Sequence, residues 1–213
     1  MWFVRQNTDD IYCIFPGREA EAREWVSSRL SVGDVFIDVG ANIGYYTVIC
    51  STLVGNQGRV ISFEPYPRTF DMLSLNCKLN QLSNVTLEPR AAWSEACVKP
   101  LYFPKDYYTI SSLFSDHIWE SFPLARETIE IETTTLDSSC SQYASIKLIK
   151  IDAEGSELQV LLGAENTLER TKYILFECTR NFDEIHDFLE NRGFKVSKLD
   201  NIDNVVATKE EIS

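Results

Sequence analysis

Short β-branched runs alternate along this chain with stretches whose apolar residues recur at helical spacing. Within residues 18–30, Ala22, Trp25, Val26 and Leu30 repeat on one helical face, and Gly33 follows as a stop. Residues 34–39 (DVFIDV) form a nearly continuous apolar run, as expected where both faces of a parallel strand are covered. Residues 43–54 read as a helix closed by Gly55. Residues 59–64 (RVISFE) repeat the strand pattern, and past Pro65 and Pro67 the side chains of Tyr66, Phe70, Leu73 and Cys77 share a helical stripe. Residues 84–88 are a third strand.

The alternation then breaks. Residues 91–135 carry Trp93, Tyr102, Phe103, Tyr107, Tyr108, Phe114, Trp119 and Phe122, together with the alternating TIEIETTT that puts Ile129 and Ile131 on one face. The rhythm resumes with residues 146–152 (IKLIKID). Ser156 and Gln159 stand at capping-box spacing, and Leu158, Leu161 and Leu162 share a face, so a helix is predicted just after DAEG. Residues 173–177 (YILFE) read as a buried strand, 183–191 as a helix closed by Gly193, and FKVSKLD with NVVATK as a terminal hairpin. The prediction is an α/β fold built on one mixed, mostly parallel sheet with helices on both faces. A single domain over residues 1–213 is expected, with a helical lead-in at 1–33 and an irregular or β insertion at 91–135.

In such a sheet the ligand sits beyond the carboxyl ends of the strands, where the strand order switches direction, so residues 38–44 are predicted to line that crevice. Gly40 and Gly44 let backbone approach a ligand, and the first amides of the next helix offer partial positive charge to an anionic group. Asn42 can add a side-chain hydrogen bond or adopt a left-handed conformation. A dinucleotide fingerprint would need glycine where Asn42 and Tyr45 stand, and no Gly-Lys-Ser/Thr follows for a phosphate loop. Glu64 ends the second strand twenty residues beyond Gly44, where an acid accepts hydrogen bonds from ribose hydroxyls. A nucleoside with a carboxylate tail meets both requirements. S-adenosylmethionine is such a ligand, and a nearby carboxylate favours its sulfonium. The alternative is a tight turn beside a solvated strand-end acid.

Composition narrows the partners. Twenty Lys and Arg against 32 Asp and Glu leave a formal charge of −12, which supplies no basic surface for nucleic acid or an anionic membrane. The chain opens without the pattern of a secretory signal and holds no apolar run near the roughly 18 residues of a membrane span, so a soluble cytoplasmic protein is predicted. Cys13, Cys50, Cys77, Cys97, Cys140 and Cys178 lie far apart with no C-x-x-C pair, as reduced, buried thiols would. His117 and His186 have no partner at ligand spacing, and no metal site is predicted.

GDVFIDVGANIGYYTV, FEPYPRTFDMLSLNCKLN, TTTLD and LIKIDAEGSELQVLLGAENTL, in that order, resemble the motifs of the FkbM family of S-adenosylmethionine-dependent methyltransferases over roughly residues 30–180. The resemblance implies a Rossmann-like class I methyltransferase fold, a seven-stranded sheet with a single antiparallel strand. It implies that Asp38, Gly40, Asn42 and Gly44 bind the methionine end of the cofactor, that Glu64 binds the ribose and that Pro65 lies beside the adenine. It also implies O-methylation of a hydroxyl on a small molecule or glycan. The chain departs from the family pattern at residues 93–127, where only ISSL (residues 110–113) echoes it, and this leaves the acceptor open.

Methyl transfer to a hydroxyl requires alignment of oxygen, methyl and sulfur, and a group that takes the proton. Asp152, at the end of the fourth core strand, is the first candidate for that carboxylate and Glu154 the second; the pair could instead cap the following helix. Lys150, on the same strand face as Asp152, is too costly to bury unpaired and should meet Asp152 or Glu177. His117 is a further candidate base. The aromatics of the insertion could form an acceptor pocket or the core of a β-hairpin. Two other functions compete: a nicotinamide-dependent oxidoreductase, and a binding module that retains the nucleoside pocket without turnover.

Overall fold

The apolar runs form the strands expected of them, in a computed structural model that describes residues 1–5, 10–15, 19–105, 110–116, 126–200 and 203–209. Helices α1 (Asp10–Cys13) and α2 (Ala20–Ser27) lead into β1 (Val35–Val39), α3 (Tyr45–Val54), β2 (Arg59–Phe63), α4 (Pro67–Leu79) and β3 (Val85–Glu88). The chain continues through β4 (Ala91–Ala92), β5 (Val98–Pro104) and β6 (Arg126–Thr134) to α5 (Leu136–Ser139) and β7 (Ile146–Ile151). It ends with α6 (Glu157–Leu162), α7 (Glu165–Glu169), β8 (Thr171–Glu177), α8 (Phe182–Glu190), β9 (Phe194–Lys198) and β10 (Asn204–Lys209).

Seven strands make the main sheet in the order β3-β2-β1-β7-β8-β10-β9. Only β10 runs against its neighbours, pairing antiparallel with both β8 and β9. The chain builds outward from β1 through β2 to β3, then returns to lay β7 against the other side of β1, so the strand order switches between β1 and β7. Strand alternation sends Ile37, Val39, Ile149, Ile151, Ile174 and Phe176 into one core against α6 and α8. Phe36, Leu148, Leu175 and Val206 point the other way, onto Ala22 and Trp25 of α2 and Cys50 and Val54 of α3. Helices therefore cover both faces.

The described residues of the insertion include a second, three-stranded sheet, β4-β6-β5. Ile131 and Ile129 share the predicted face and pack with Leu101, Phe103 and Tyr66. Of the segment's aromatics, Phe103 lies 4.7 Å from the Tyr66 ring and Trp93 5.7 Å from Phe114, whereas Tyr107, Tyr108, Trp119, Phe122 and His117 lie outside the described residues. Cys50, Cys77, Cys97, Cys140 and Cys178 are free thiols, and the first, second and fourth of these are buried. Among the described residues no helix is long and apolar enough to cross a membrane.

Local expectations differ in two places. The capping box at Ser156 does not form: Ser156 is the N-cap of α6 but makes no capping bond, and Gln159 Oε1 accepts from Ser94 Oγ at 2.9 Å. Glu157 braces the preceding turn instead, its Oε1 accepting the Ala153 and Gly155 amides at 3.0 and 3.1 Å. Leu162 is 40% exposed rather than sharing the buried face of Leu161, since the helix ends at Gly163 before a full turn follows it.

The N-terminal residues are clasped to α4. Asn76, fully buried, accepts the Phe3 amide at 2.7 Å and donates to Phe3 O at 3.3 Å and Ile43 O at 2.8 Å. Asn80 accepts from the amino terminus at 2.8 Å and donates to Met1 O at 2.7 Å. Asn76→Ala is expected to lower unfolding free energy by about 2 kcal/mol in urea titration, from lost bonds and the buried Ile43 carbonyl left without a donor. A loss within experimental error would show that the clasp contributes nothing to the fold.

Candidate active site

The turn after β1 takes its shape from three left-handed residues, Gly40 (φ 72°), Asn42 (φ 51°) and Gly44 (φ 99°). Two of them have close neighbours. A Cβ on Gly40 would overlap the carbonyl oxygen of Asp152, because β1 and β7 touch here through the bond from Asp152 N to Val39 O at 3.0 Å. A Cβ on Gly44 would lie 2.8 Å from Leu73 Cδ1, so this glycine seats α3 against α4. It is not among the residues that line the two clefts described below.

The turn's amides face the end of β2. Gly40 N and Ala41 N donate to Phe63 O at 3.0 and 2.9 Å, and Asn42 N donates to Glu64 Oε2 at 3.0 Å. Glu64 Oε1 accepts the Tyr66 amide at 2.9 Å. Burial pushes the Glu64 carboxyl up to about 7, against the two backbone donors that favour its charged form. Each of its oxygens keeps a second lone pair for a ligand hydroxyl.

Asp38 is placed differently from the prediction. Even-numbered residues of β1 face α3, so Asp38 is fully buried beneath the turn, where Oδ2 accepts from Thr47 Oγ1 at 2.6 Å, and it lines neither cleft. Its Oδ1 has no hydrogen-bond partner, and burial raises its pKa while Lys150 works in the other direction.

Lys150, Asp152 and Glu177 complete a row along the carboxyl edge of the sheet on the α3 side. Asp38 pairs in register with Lys150 and Ile151 with Phe176, so Asp152 and Glu177 are the next residues of neighbouring parallel strands. Lys150 Nζ meets Asp152 Oδ2 at 3.1 Å, the side chains 8% and 26% exposed, and it stands 5.1 Å from the Tyr46 ring centroid. Burial would lower the Lys150 pKa, but Asp152, Asp38 and Glu19 together hold it above its ordinary value. Glu177 is pushed up to about 8, first by the Asp152 charge, then by burial and Glu154, with Lys150 opposing. Glu154 is left-handed (φ 49°), and its carbonyl accepts from Ser112 Oγ of the insertion at 2.6 Å.

Two clefts meet at Gly40, Asn42 and Asp152. The first, about 600 Å³ and open to solvent, is walled by Phe63, Glu64, Pro65, Ala91, Ala92 and Leu101, with Asp152, Glu154 and Ser156 opposite. Ser156 Oγ is buried there without a partner. Apolar walls with a carboxylate at the strand end suit a nucleoside. The second, about 410 Å³, is lined by Glu19, Tyr45, Tyr46, Lys150 and Asp152 beside the start of α3, which has no side-chain cap. One ammonium, carboxylates and the positive end of a helix suit a zwitterionic tail. Among the described residues no three His, Cys, Asp or Glu side chains are grouped as metal ligands.

Sequence reasoning anticipated Gly40, Asn42, Glu64, Pro65, Asp152 and Glu154 at these clefts. It missed the walls from Ala91, Ala92 and Leu101, the tail-side residues Glu19 and Tyr46, and Glu177 as a neighbour of Asp152. Only the last carried a signal, since YILFE and IKLIKID end on acids in equivalent positions.

A seven-stranded sheet with one antiparallel strand, and a nucleoside cleft joined to a zwitterion cleft at its switch point, define a class I S-adenosylmethionine-dependent methyltransferase. The Methyltransferase FkbM domain model matches residues 38–196, well over half of the chain. The chain belongs to the FkbM methyltransferase family. It is 29% identical over 193 residues to the hexuronic acid methyltransferase AglP of Haloferax volcanii, covering 85% of this chain and 71% of that protein. It is 28% identical over 163 residues to the 31-O-demethyl-FK506 methyltransferase FkbM of Streptomyces tacrolimicus, covering 65% and 62%. A SAM-dependent methyltransferase of Aquifex aeolicus shares the fold with a TM-score of 0.53 at 15% identity, over 94% of this chain and 96% of that one. S-adenosylmethionine is the cofactor, and the nicotinamide reading gains no support.

Glu64→Ala is expected to weaken S-adenosylhomocysteine binding by about 1–3 kcal/mol, through a lost charge-assisted hydrogen bond to ribose. Calorimetric titration of a folded variant with unchanged affinity would remove Glu64 from the site.

Proposed function

We propose that the chain methylates a hydroxyl oxygen on a glycan or related small molecule, with Asp152, Glu154 and Glu177 acting on the acceptor. The observation that carries this reading is the carboxylate pair at the ends of β7 and β8, one member fixed by Lys150 and the other with raised proton affinity. The printed names of two relatives, one a hexuronic acid methyltransferase and one acting on a 31-O-demethyl compound, support a sugar or hydroxyl acceptor. A formal charge of −12 argues against a phosphate backbone as acceptor.

The cofactor supplies an electrophilic methyl group. Glu64 and Pro65 position its nucleoside end and Gly40 and Asn42 its methionine end, while Asp38 and Gly44 act from beneath, setting the charge around Lys150 and the seating of α3. Asp152, ion-paired with Lys150, orients the acceptor hydroxyl, and Glu154 presents a second carboxylate on the same wall. As the new C–O bond forms, the hydroxyl proton passes to the Asp152/Glu177 pair and comes to rest on Glu177, the stronger proton acceptor. Apolar residues Leu101 and Leu113 line the wall opposite and limit the water that reaches the reacting oxygen.

The test is incubation with S-adenosylmethionine and a panel of uronic acids, neutral glycosides and polyhydroxylated natural products, followed by product analysis. An alkali-stable methyl ether supports the reading; an N-methyl or carboxyl-ester product overturns it. With the acceptor so found, a second expectation follows from the sign of the Glu177 shift. Below about pH 8 Glu177 already holds a proton, so kcat/KM rises with pH through that value and then levels. Asp152→Asn removes the charge that raises Glu177 and moves this limb to lower pH, while Glu177→Gln lowers kcat by about a hundredfold or more. A pH profile untouched by either change would remove the pair from catalysis.

A further inference from the structure

We infer that Glu19, in the lead-in that precedes the matched family segment, is a cofactor-binding residue that receives the α-ammonium of the methionine tail. The inference rests on S-adenosylmethionine as the cofactor and not on the identity of the acceptor. Glu19 lies outside residues 38–196, yet it lines the tail-side cleft together with Gly40, Asn42, Tyr45, Lys150 and Asp152.

Its local role does not account for it. Glu19 occupies the N-cap of α2, where Ser, Thr, Asp or Asn is preferred, and its side chain makes no capping bond. Its backbone is left-handed (φ 50°, ψ 40°), a region in which a glutamate is uncommon and which recurs at ligand sites. The result is a carboxylate turned away from its own helix toward α3, where Oε2 accepts from the Tyr46 hydroxyl at 3.0 Å.

The surrounding charges select an ammonium at this point. Lys150 is already joined to Asp152, so the cleft holds two carboxylates and one amine before a ligand enters. A zwitterionic amino-acid tail completes this set, its ammonium at Glu19 and its carboxylate at the first turn of α3, whose N-cap is Gly44 and whose Thr47 amide already serves Asp38. The segment carrying Glu19 is anchored independently. Trp2 stacks on Tyr45 with ring centroids 6.1 Å apart, Arg5 and Asp10 form a 2.7 Å ion pair, and Arg23 donates to the Tyr45 hydroxyl at 3.3 Å. These contacts bring the lead-in to the first turn of α3, the same turn that borders the cleft.

The test uses three ligands and calorimetry on the full chain: S-adenosylhomocysteine, its desamino analogue that keeps the carboxylate, and 5′-methylthioadenosine, which lacks the whole tail. For the native chain, removing the amino group is expected to weaken binding about tenfold or more. Glu19→Gln is expected to weaken S-adenosylhomocysteine by a similar factor, to leave 5′-methylthioadenosine within about twofold, and to erase the difference between S-adenosylhomocysteine and its desamino analogue. Thermal unfolding checks that the variant is folded, and Glu19→Asp, which retains the charge, should recover part of the loss. Equal weakening of all three ligands would assign Glu19 a structural role and overturn the inference. So would a native chain indifferent to the amino group, a measurement that needs no variant. A native chain that binds none of the ligands would overturn the cofactor assignment itself, and is distinguishable from both.

Discussion

The contact between the ends of β1 and β7 is the constraint on which the site depends. Parallel strands on either side of a switch point send their chains to opposite faces of the sheet, and the space between them becomes the ligand crevice. Here that space is kept narrow, because the Asp152 carbonyl lies where any side chain on residue 40 would begin. The left-handed Gly40 satisfies the contact and turns the next amides toward Phe63 O and Glu64. The two clefts thus share Gly40, Asn42 and Asp152 as a common floor. Any larger residue at position 40 would separate the strand ends and, with them, the nucleoside wall from the proposed catalytic carboxylate.

A buried lysine organises the electrostatics around that floor. Burying an ammonium is unfavourable unless it is paired, and Lys150 is surrounded by Asp152, Asp38 and Glu19 from three separate elements. One cation cannot neutralise this many acids. Asp152 takes the direct ion pair, and Glu177, next in register, is left with the Asp152 charge beside it. The Asp152 charge, together with burial, raises the proton affinity of Glu177, as a group that is to exchange a proton requires. The same excess of negative charge suits a cofactor that carries a sulfonium and an ammonium.

The sheet was legible in the sequence because both of its faces are buried, so DVFIDV, RVISFE and IKLIKID stand out as continuous apolar runs. The nucleoside half of the site was legible for a related reason: a strand, a glycine turn and a strand-end acid are local features at fixed spacing. What could not be read depends on contacts far apart in the chain. Asp38 looked like a crevice residue, but the strand's two-residue alternation, combined with the position of α3, puts it underneath against Thr47. The packing of Gly44 is of this kind, because its near neighbour is Leu73, 29 positions on. Glu19 carried no motif, and only the folded lead-in brings it to Tyr46, 27 positions on.

The insertion touches both the first cleft and the loop that follows β7. Leu101 and Leu113 face the nucleoside cleft from the second sheet, whose own core is Phe103, Ile131 and Tyr66. Changes to these apolar walls would reshape the space offered to an acceptor without touching the turn from Gly40 to Gly44. Ser112 is different. Its backbone pairs with Tyr102 on the hairpin, N and O both at 2.9 Å, while its hydroxyl holds the Glu154 carbonyl. The left-handed bend at Glu154 lies between Asp152 and the start of α6, so a single hydroxyl links the hairpin to this loop. A shift of the hairpin is thereby passed to the carboxylates through one hydrogen bond, whereas the cofactor turn, fastened to β2 by Phe63 and Glu64, is held from the other side.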